Sequence, residues 1–132
     1  MIGLDTNVIV RLFVDDDPQQ AQFARRFVAD KCSENDPGFI DRVALCELIW
    51  VLTSVHGYRR AAVADVIELL LENRDMRLED ADAVGDALQE YRASGVEFSD
   101  ILIARINLAR GCEATVTFDR RAAKLKGFVR VS

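Results

Sequence analysis

The sequence predicts an α/β fold built on short parallel strands, and three observations point to it. Apolar runs of strand length alternate with longer segments of helical period along the chain. Helix starts are marked by capping residues, at Asp5-Thr6-Asn7, at Asp17-Pro18 and at Asp41. Two carboxylates, Asp5 and Asp119, follow apolar runs directly, at the edge where open parallel sheets hold ligands. With 132 residues, half of them hydrophobic, the chain is long enough for one compact core, and a single domain over residues 1–132 is expected.

The opening run predicts a short buried strand, Ile2 to Leu4, that presents Asp5 at its tip before Thr6 and Asn7 turn the chain into a helix. Pro18 after Asp17 starts a helix to Lys31 with Ala21, Ala24, Phe27 and Val28 at helical spacing, so the acidic triplet Asp15 to Asp17 is read as a helix start. Phe39-Ile40 is a very short strand, and Asp41 caps a helix from about Arg42 to His56, stopped by Gly57. Within it, Val43 to Leu52 contains one charge, Glu47, on a face shared with Ala44, Trp50 and Val51. A helix apolar all round is buried, so Glu47 is expected to face the interior or a cleft and to need a compensating cation or basic group.

Residues 59–73 give the cleanest amphipathic helix, with Val63, Val66, Ile67, Leu70 and Leu71 on one stripe. Met76 to Leu78 is a weak strand, and a helix follows from Glu79 or Asp80 to Tyr91 or Arg92, ended by Gly95. Ser99 is read as the cap of a largely apolar helix to Ala109, with Asp100 in its first turn and Glu97 in the preceding loop. Beyond Gly111, Ala114 to Thr117 is a β-branched run fit for a central strand, and Phe128 to Val131 closes the chain as another strand.

Composition excludes several classes of function. Apolar stretches are broken by charge well short of the roughly 20 residues that cross a bilayer, and no basic-then-apolar leader precedes the first strand, so a soluble, cytosolic protein is expected. Cys32, Cys46 and Cys112 are odd in number and far apart, which suits reduced, structural thiols. The single histidine, His56, is a poor basis for a zinc site. Net charge is −5, yet from Arg105 onward seven basic residues face only Glu113 and Asp119, so a local basic surface including Arg120, Arg121 and Lys124 is expected to hold phosphates.

Asp5, Glu47, Asp100 and Asp119 are each the odd residue in an apolar segment. Four carboxylates in one poorly hydrated cleft would repel one another, and a divalent cation removes that conflict. All-oxygen ligands point to Mg2+, or Mn2+, which suits binding a phosphate and activating water for attack at phosphorus.

Asp5-Thr6-Asn7, Glu47 in its apolar helix, Phe98 to Ala104 and Thr117-Phe118-Asp119-Arg120 resemble the four motifs of PIN-domain ribonucleases, in order and over essentially the whole chain. The match is closest to VapC-like toxins of bacterial type II toxin-antitoxin modules. The resemblance implies a three-layer α/β/α sandwich with a central, mainly parallel sheet and Mg2+-dependent endonucleolytic cleavage of RNA. It also implies inhibition by a cognate antitoxin and a homodimer. Transfer, ribosomal and messenger RNA are all open as substrates. Carried over, Asp5 and Asp100 resemble the principal metal ligands, and Asp119 a third acid that binds metal directly or through water. Glu47 resembles the acid that orients water. Thr6, Asn7 and Thr117 match small polar positions that support the acids, while Glu97 leaves a second-metal role open. Ile101 departs from the smaller residue common in the family.

Two other classes compete. An aspartate-nucleophile phosphotransfer domain is disfavoured because Asp5-Thr6-Asn7 lacks a second aspartate and no mid-chain strand ends in a phosphoacceptor. A non-catalytic metal-binding regulatory module is disfavoured because all four acids are present.

Overall fold

The computed structural model describes residues 1–132. It is an α/β protein in which every strand pair is parallel. By its internal contacts the chain divides into two compact units, Met1–Glu79 and Asp80–Ser132.

The first unit runs β1 (Ile2–Gly3), α1 (Thr6–Phe13), α2 (Pro18–Lys31), β2 (Gly38–Ile40), α3 (Arg42–Ser54), α4 (Arg60–Glu72) and β3 (Met76–Leu78). Its strands form one sheet in the order β1-β2-β3, with Ile2 opposite Gly38 and Gly38 opposite Met76. Parallel neighbours require crossovers, and the helix pairs α1/α2 and α3/α4 supply them. Asp17 and Asp41 accept from the N–H groups of Gln20 and Ala44 at 3.1 and 2.7 Å, as N-caps do. Leu45, Leu48 and Leu52 of α3, Val63 and Ile67 of α4, and Ile9 and Ile40 are fully buried. Gly38 is glycine because a Cβ there would meet Leu4 Cδ1 at 2.8 Å and Cys32 Sγ at 3.1 Å.

Three expectations change in this unit. The opening strand is Ile2–Gly3 and is not buried: Ile2 is exposed, as suits a strand at the end of its sheet order, and burial begins at Leu4. In α2 the buried face is made by Ala21 and Ala24, whose small side chains allow close packing on α1. Phe27, with Phe23, is exposed and lines an apolar pocket of about 510 Å³. Helix α3 ends at Ser54, two residues early, as the chain turns toward the left-handed Gly57 at φ 69°. His56 therefore lies beyond the helix, its N–H donating to the Val51 carbonyl at 3.3 Å.

The second unit contains α5 (Ala81–Ala93), α6 (Phe98–Ala109), β4 (Thr115–Thr117), a 3-10 turn at Ala122–Lys124 and β5 (Phe128–Arg130). Helices α5 and α6 pack through Val84, Ala87, Leu88, Ile101 and Leu102, all buried. Tyr91 meets Phe98 edge to face at 5.6 Å, a favoured aromatic geometry. Glu90 and Arg105 form an ion pair across the same two helices, both largely shielded from solvent. Thr115 lies opposite Phe128 and Thr117 opposite Arg130 in the β4–β5 ladder. Gly127, at φ 90°, lets this ladder sit against α6, because a Cβ would meet Leu108 Cδ1 at 2.8 Å.

Two more expectations change here. Helix α6 begins at Phe98, with Glu97 rather than Ser99 in the N-cap position and without a side-chain cap. Burial of Phe98 against Tyr91 draws it into the first turn and leaves Ser99 exposed within the helix. Strand β4 is paired with β5 alone, and its alternation turns Val116 outward to 69% exposure, so it is not the buried central strand expected. Ile101, the departure from the family pattern, is fully buried in the α6 core.

Candidate functional site

In the first unit the βα turn after β1 builds one acidic group. Asp5 is the N-cap of α1 and its Oδ1 accepts from the Thr6 N–H at 2.7 Å. That bond fixes one carboxylate oxygen at the positive end of the helix. Thr6 is the only buried polar residue in the chain, 8% exposed, and its hydroxyl donates to Glu47 Oε2 at 2.8 Å. One threonine thus ties the first turn of α1 to the middle of α3, and its backbone and side chain orient two acids at once.

These residues line an open pocket of about 490 Å³ together with Asn7, Trp50 and His56. Glu47 is an exposed residue on the wall of this pocket, not an interior one, so no buried charge needs a cation or basic neighbour to survive. Its contact is the Thr6 hydroxyl. Arg11, also on this wall, is held by Asp16 and by Gln20 Oε1 at 2.9 Å.

In the second unit Asp100 sits in the first turn of α6, half-buried. Burial, then the nearby charge of Asp119, then that of Glu97, push its carboxyl above the usual range for aspartate. Asp119 is exposed and well bonded: Oδ1 accepts from the N–H groups of Arg121 at 2.8 Å and Ala122 at 3.3 Å. Thr117 Oγ1 in turn accepts from the Asp119 N–H at 3.0 Å, holding the turn that aims this acid.

The basic residues expected to hold phosphate, Arg120, Arg121 and Lys124, are all exposed. The Arg121 guanidinium lies so close over Gly95 that a Cβ there would meet Nη2 at 2.8 Å, which sets this cation on the loop leading to Glu97. Burial pushes the Cys32 and Cys46 thiols up and keeps them protonated, as inert structural cysteines should be.

Sequence reasoning expects all four acids around one cation. The structure brings Asp5 and Glu47 together through Thr6, and sets Asp100 within electrostatic reach of Asp119 and Glu97. It contains no group of three or more histidine, cysteine, aspartate or glutamate side chains gathered as a metal cage. Three of the acids are instead taken up by local donors: Asp5 and Asp119 by backbone N–H groups, Glu47 by a hydroxyl. The donor set still fits a hard divalent cation. It offers only oxygen, and Asp100 faces two like charges that a cation would offset. Trp50 joins the pocket from the helix face it shares with Glu47, three residues on, whereas His56 reaches it from beyond the end of α3, where helical spacing gives no signal.

The sequence matches the PIN domain family over residues 2–127, spanning both units, and the chain belongs to that family. PIN domains are in general nucleases that work with divalent metal ions, so the class defined here is a hydrolase of nucleic acids. No curated protein matches the chain. No helix is long and apolar enough to cross a membrane.

Proposed function

We propose that the protein is a Mg2+-dependent endoribonuclease, acting in the cytoplasm as the toxin of a type II toxin-antitoxin pair. The observation that carries the catalytic part is the pair of acids Asp5 and Glu47, both oriented by Thr6 on the wall of an open pocket in a chain of a nuclease family. Asp5, Asp100 and Asp119 are the residues that would hold Mg2+, with Mn2+ as an alternative. When bound, the cation supplies charge neutralisation at the scissile phosphate and lowers the pKa of water.

The chain's own residues do the rest. Glu47, steadied by the Thr6 hydroxyl, accepts a hydrogen bond from the attacking water and orients it. Asn7, exposed beside Asp5 on the pocket wall, is a donor for phosphate oxygen. Arg120, Arg121 and Lys124 hold the RNA backbone by charge, with Arg121 fixed on the loop before Glu97. Thr117 keeps Asp119 in place. The toxin role, the cognate antitoxin and the homodimer rest on the likeness of the four motifs to VapC-like toxins.

The test is cleavage of single-stranded RNA by purified protein with Mg2+ and with EDTA, beside Asp5→Asn. Asparagine caps a helix as well as aspartate does, so this variant changes charge while keeping the turn. Cutting that EDTA abolishes and Asp5→Asn lacks is expected. Cutting indifferent to both would remove the nuclease reading. Growth arrest on expression, relieved by a small protein that binds the chain, tests the toxin role.

A further inference from the structure

Trp50 is the only tryptophan in the chain, and it stands 62% exposed on α3, whose opposite face of Leu45, Leu48 and Leu52 is fully buried. An indole left in water on so apolar a helix is unusual, because tryptophan is highly buried on average. Its place is specific. It lines the same pocket as Asp5, Thr6 and Glu47, three residues on from Glu47, so the two Cβ atoms stand about 5–6 Å apart on one helix face.

We propose that Trp50 is a stacking platform for one unpaired nucleobase of the RNA, and so sets a preference for single-stranded substrate next to the acids. The proposal rests on the nuclease reading and names how that site takes its substrate. The pocket's composition favours a base over an apolar protein surface. An apolar surface laid over Trp50 would also strip water from the exposed carboxylates of Asp5, Asp16 and Glu47, whose present partners satisfy them only in part. A base lays its π-face on the indole while its sugar and phosphate stay in water. Stacking of this kind serves any base, since each has a π-face. Duplex RNA has its bases already stacked and cannot supply one without unpairing.

A single tryptophan makes the test direct, and EDTA separates binding from cleavage. Short oligouridylate is titrated into the protein in EDTA while tryptophan fluorescence is read, and binding is measured independently by anisotropy of labelled RNA. Saturable quenching that tracks the anisotropy is expected. Trp50→Ala should weaken binding about 5- to 100-fold, the size of one lost stack. Trp50→Phe should keep most of the affinity, since phenylalanine also stacks. Binding without quenching, or Trp50→Ala binding as tightly as the parent, would overturn the proposal and leave the nuclease reading standing. Quenching by RNA that is never cut in Mg2+ would remove the nuclease reading and leave the platform. No binding at all would remove the platform. An unchanged RNA affinity in Trp50→Ala with a changed oligomeric state would instead assign this face to a second copy of the chain and overturn the proposal.

Discussion

The acids of the first unit and those of the second are held in opposite ways. Around Asp5 and Glu47 the fold supplies donors: a backbone N–H for one, a buried threonine hydroxyl for the other. Around Asp100 it supplies partial burial, and beyond that the like charges of Asp119 and Glu97, all of which push its carboxyl up. The first arrangement fixes carboxylate orientation without outside help, whereas the second leaves a charge conflict that a cation relieves. The comparison can be broken from either side.

The largest effect is expected at the conflicted group. Asp100→Asn should lower RNA cleavage by about 10³-fold or more, since a lost metal ligand removes several kcal/mol of charge stabilisation at roughly 1.4 kcal/mol per tenfold. In EDTA the same variant should melt no lower than the parent, because it removes a like charge worth roughly a few tenths of a kcal/mol. A clear drop in Tm would show that Asp100 serves the helix start and would dissolve the contrast. Next, Thr6→Val should make the first group resemble the second by freeing Glu47. Cleavage is expected to fall about 10- to 100-fold, with recovery in Thr6→Ser, which restores the hydroxyl.

A stability test confined to the second unit follows. Arg105→Met leaves Glu90 without its cation between α5 and α6, and denaturant unfolding should show a loss of about 1.5–3 kcal/mol. The smallest effects belong to the basic residues. Arg120→Ala, Arg121→Ala and Lys124→Ala should each flatten the salt dependence of RNA binding by about 0.7 in log–log slope, one phosphate contact apiece on a single strand.

Much of this was legible in the residues. Asp17-Pro18 and Asp41 declare their helices, and both caps form. Of the α4 stripe, Val63, Val66, Ile67 and Leu70 are buried as the period requires, while Leu71 sits at its half-buried margin. What pattern could not give was which side of an element meets protein. Helix α3 is apolar on all sides, so hydrophobicity alone left Glu47 facing either the interior or a cleft; Leu45, Leu48 and Leu52 fill the core and leave the other face, with Glu47 and Trp50, to the pocket. The β-branched run at Thr115 to Thr117 has the composition of a central strand, but its pairing partner is set by distant residues of β5. The start of α6 was missed because the buried contact of Phe98 with Tyr91 outweighs a serine cap. For the site, spacing singled out the acids one by one, and tertiary structure added the Thr6 hydroxyl that joins two of them.

The central claim is that Asp5 and Asp100 are each needed for metal-dependent cleavage of RNA. Its most direct test is Mg2+-titrated cleavage of single-stranded RNA by the parent protein, by Asp5→Asn and by Asp100→Asn. Each substitution, one in either unit, is predicted to abolish cutting by a protein that still folds. Full activity in either variant, or cutting that persists in EDTA, would contradict it.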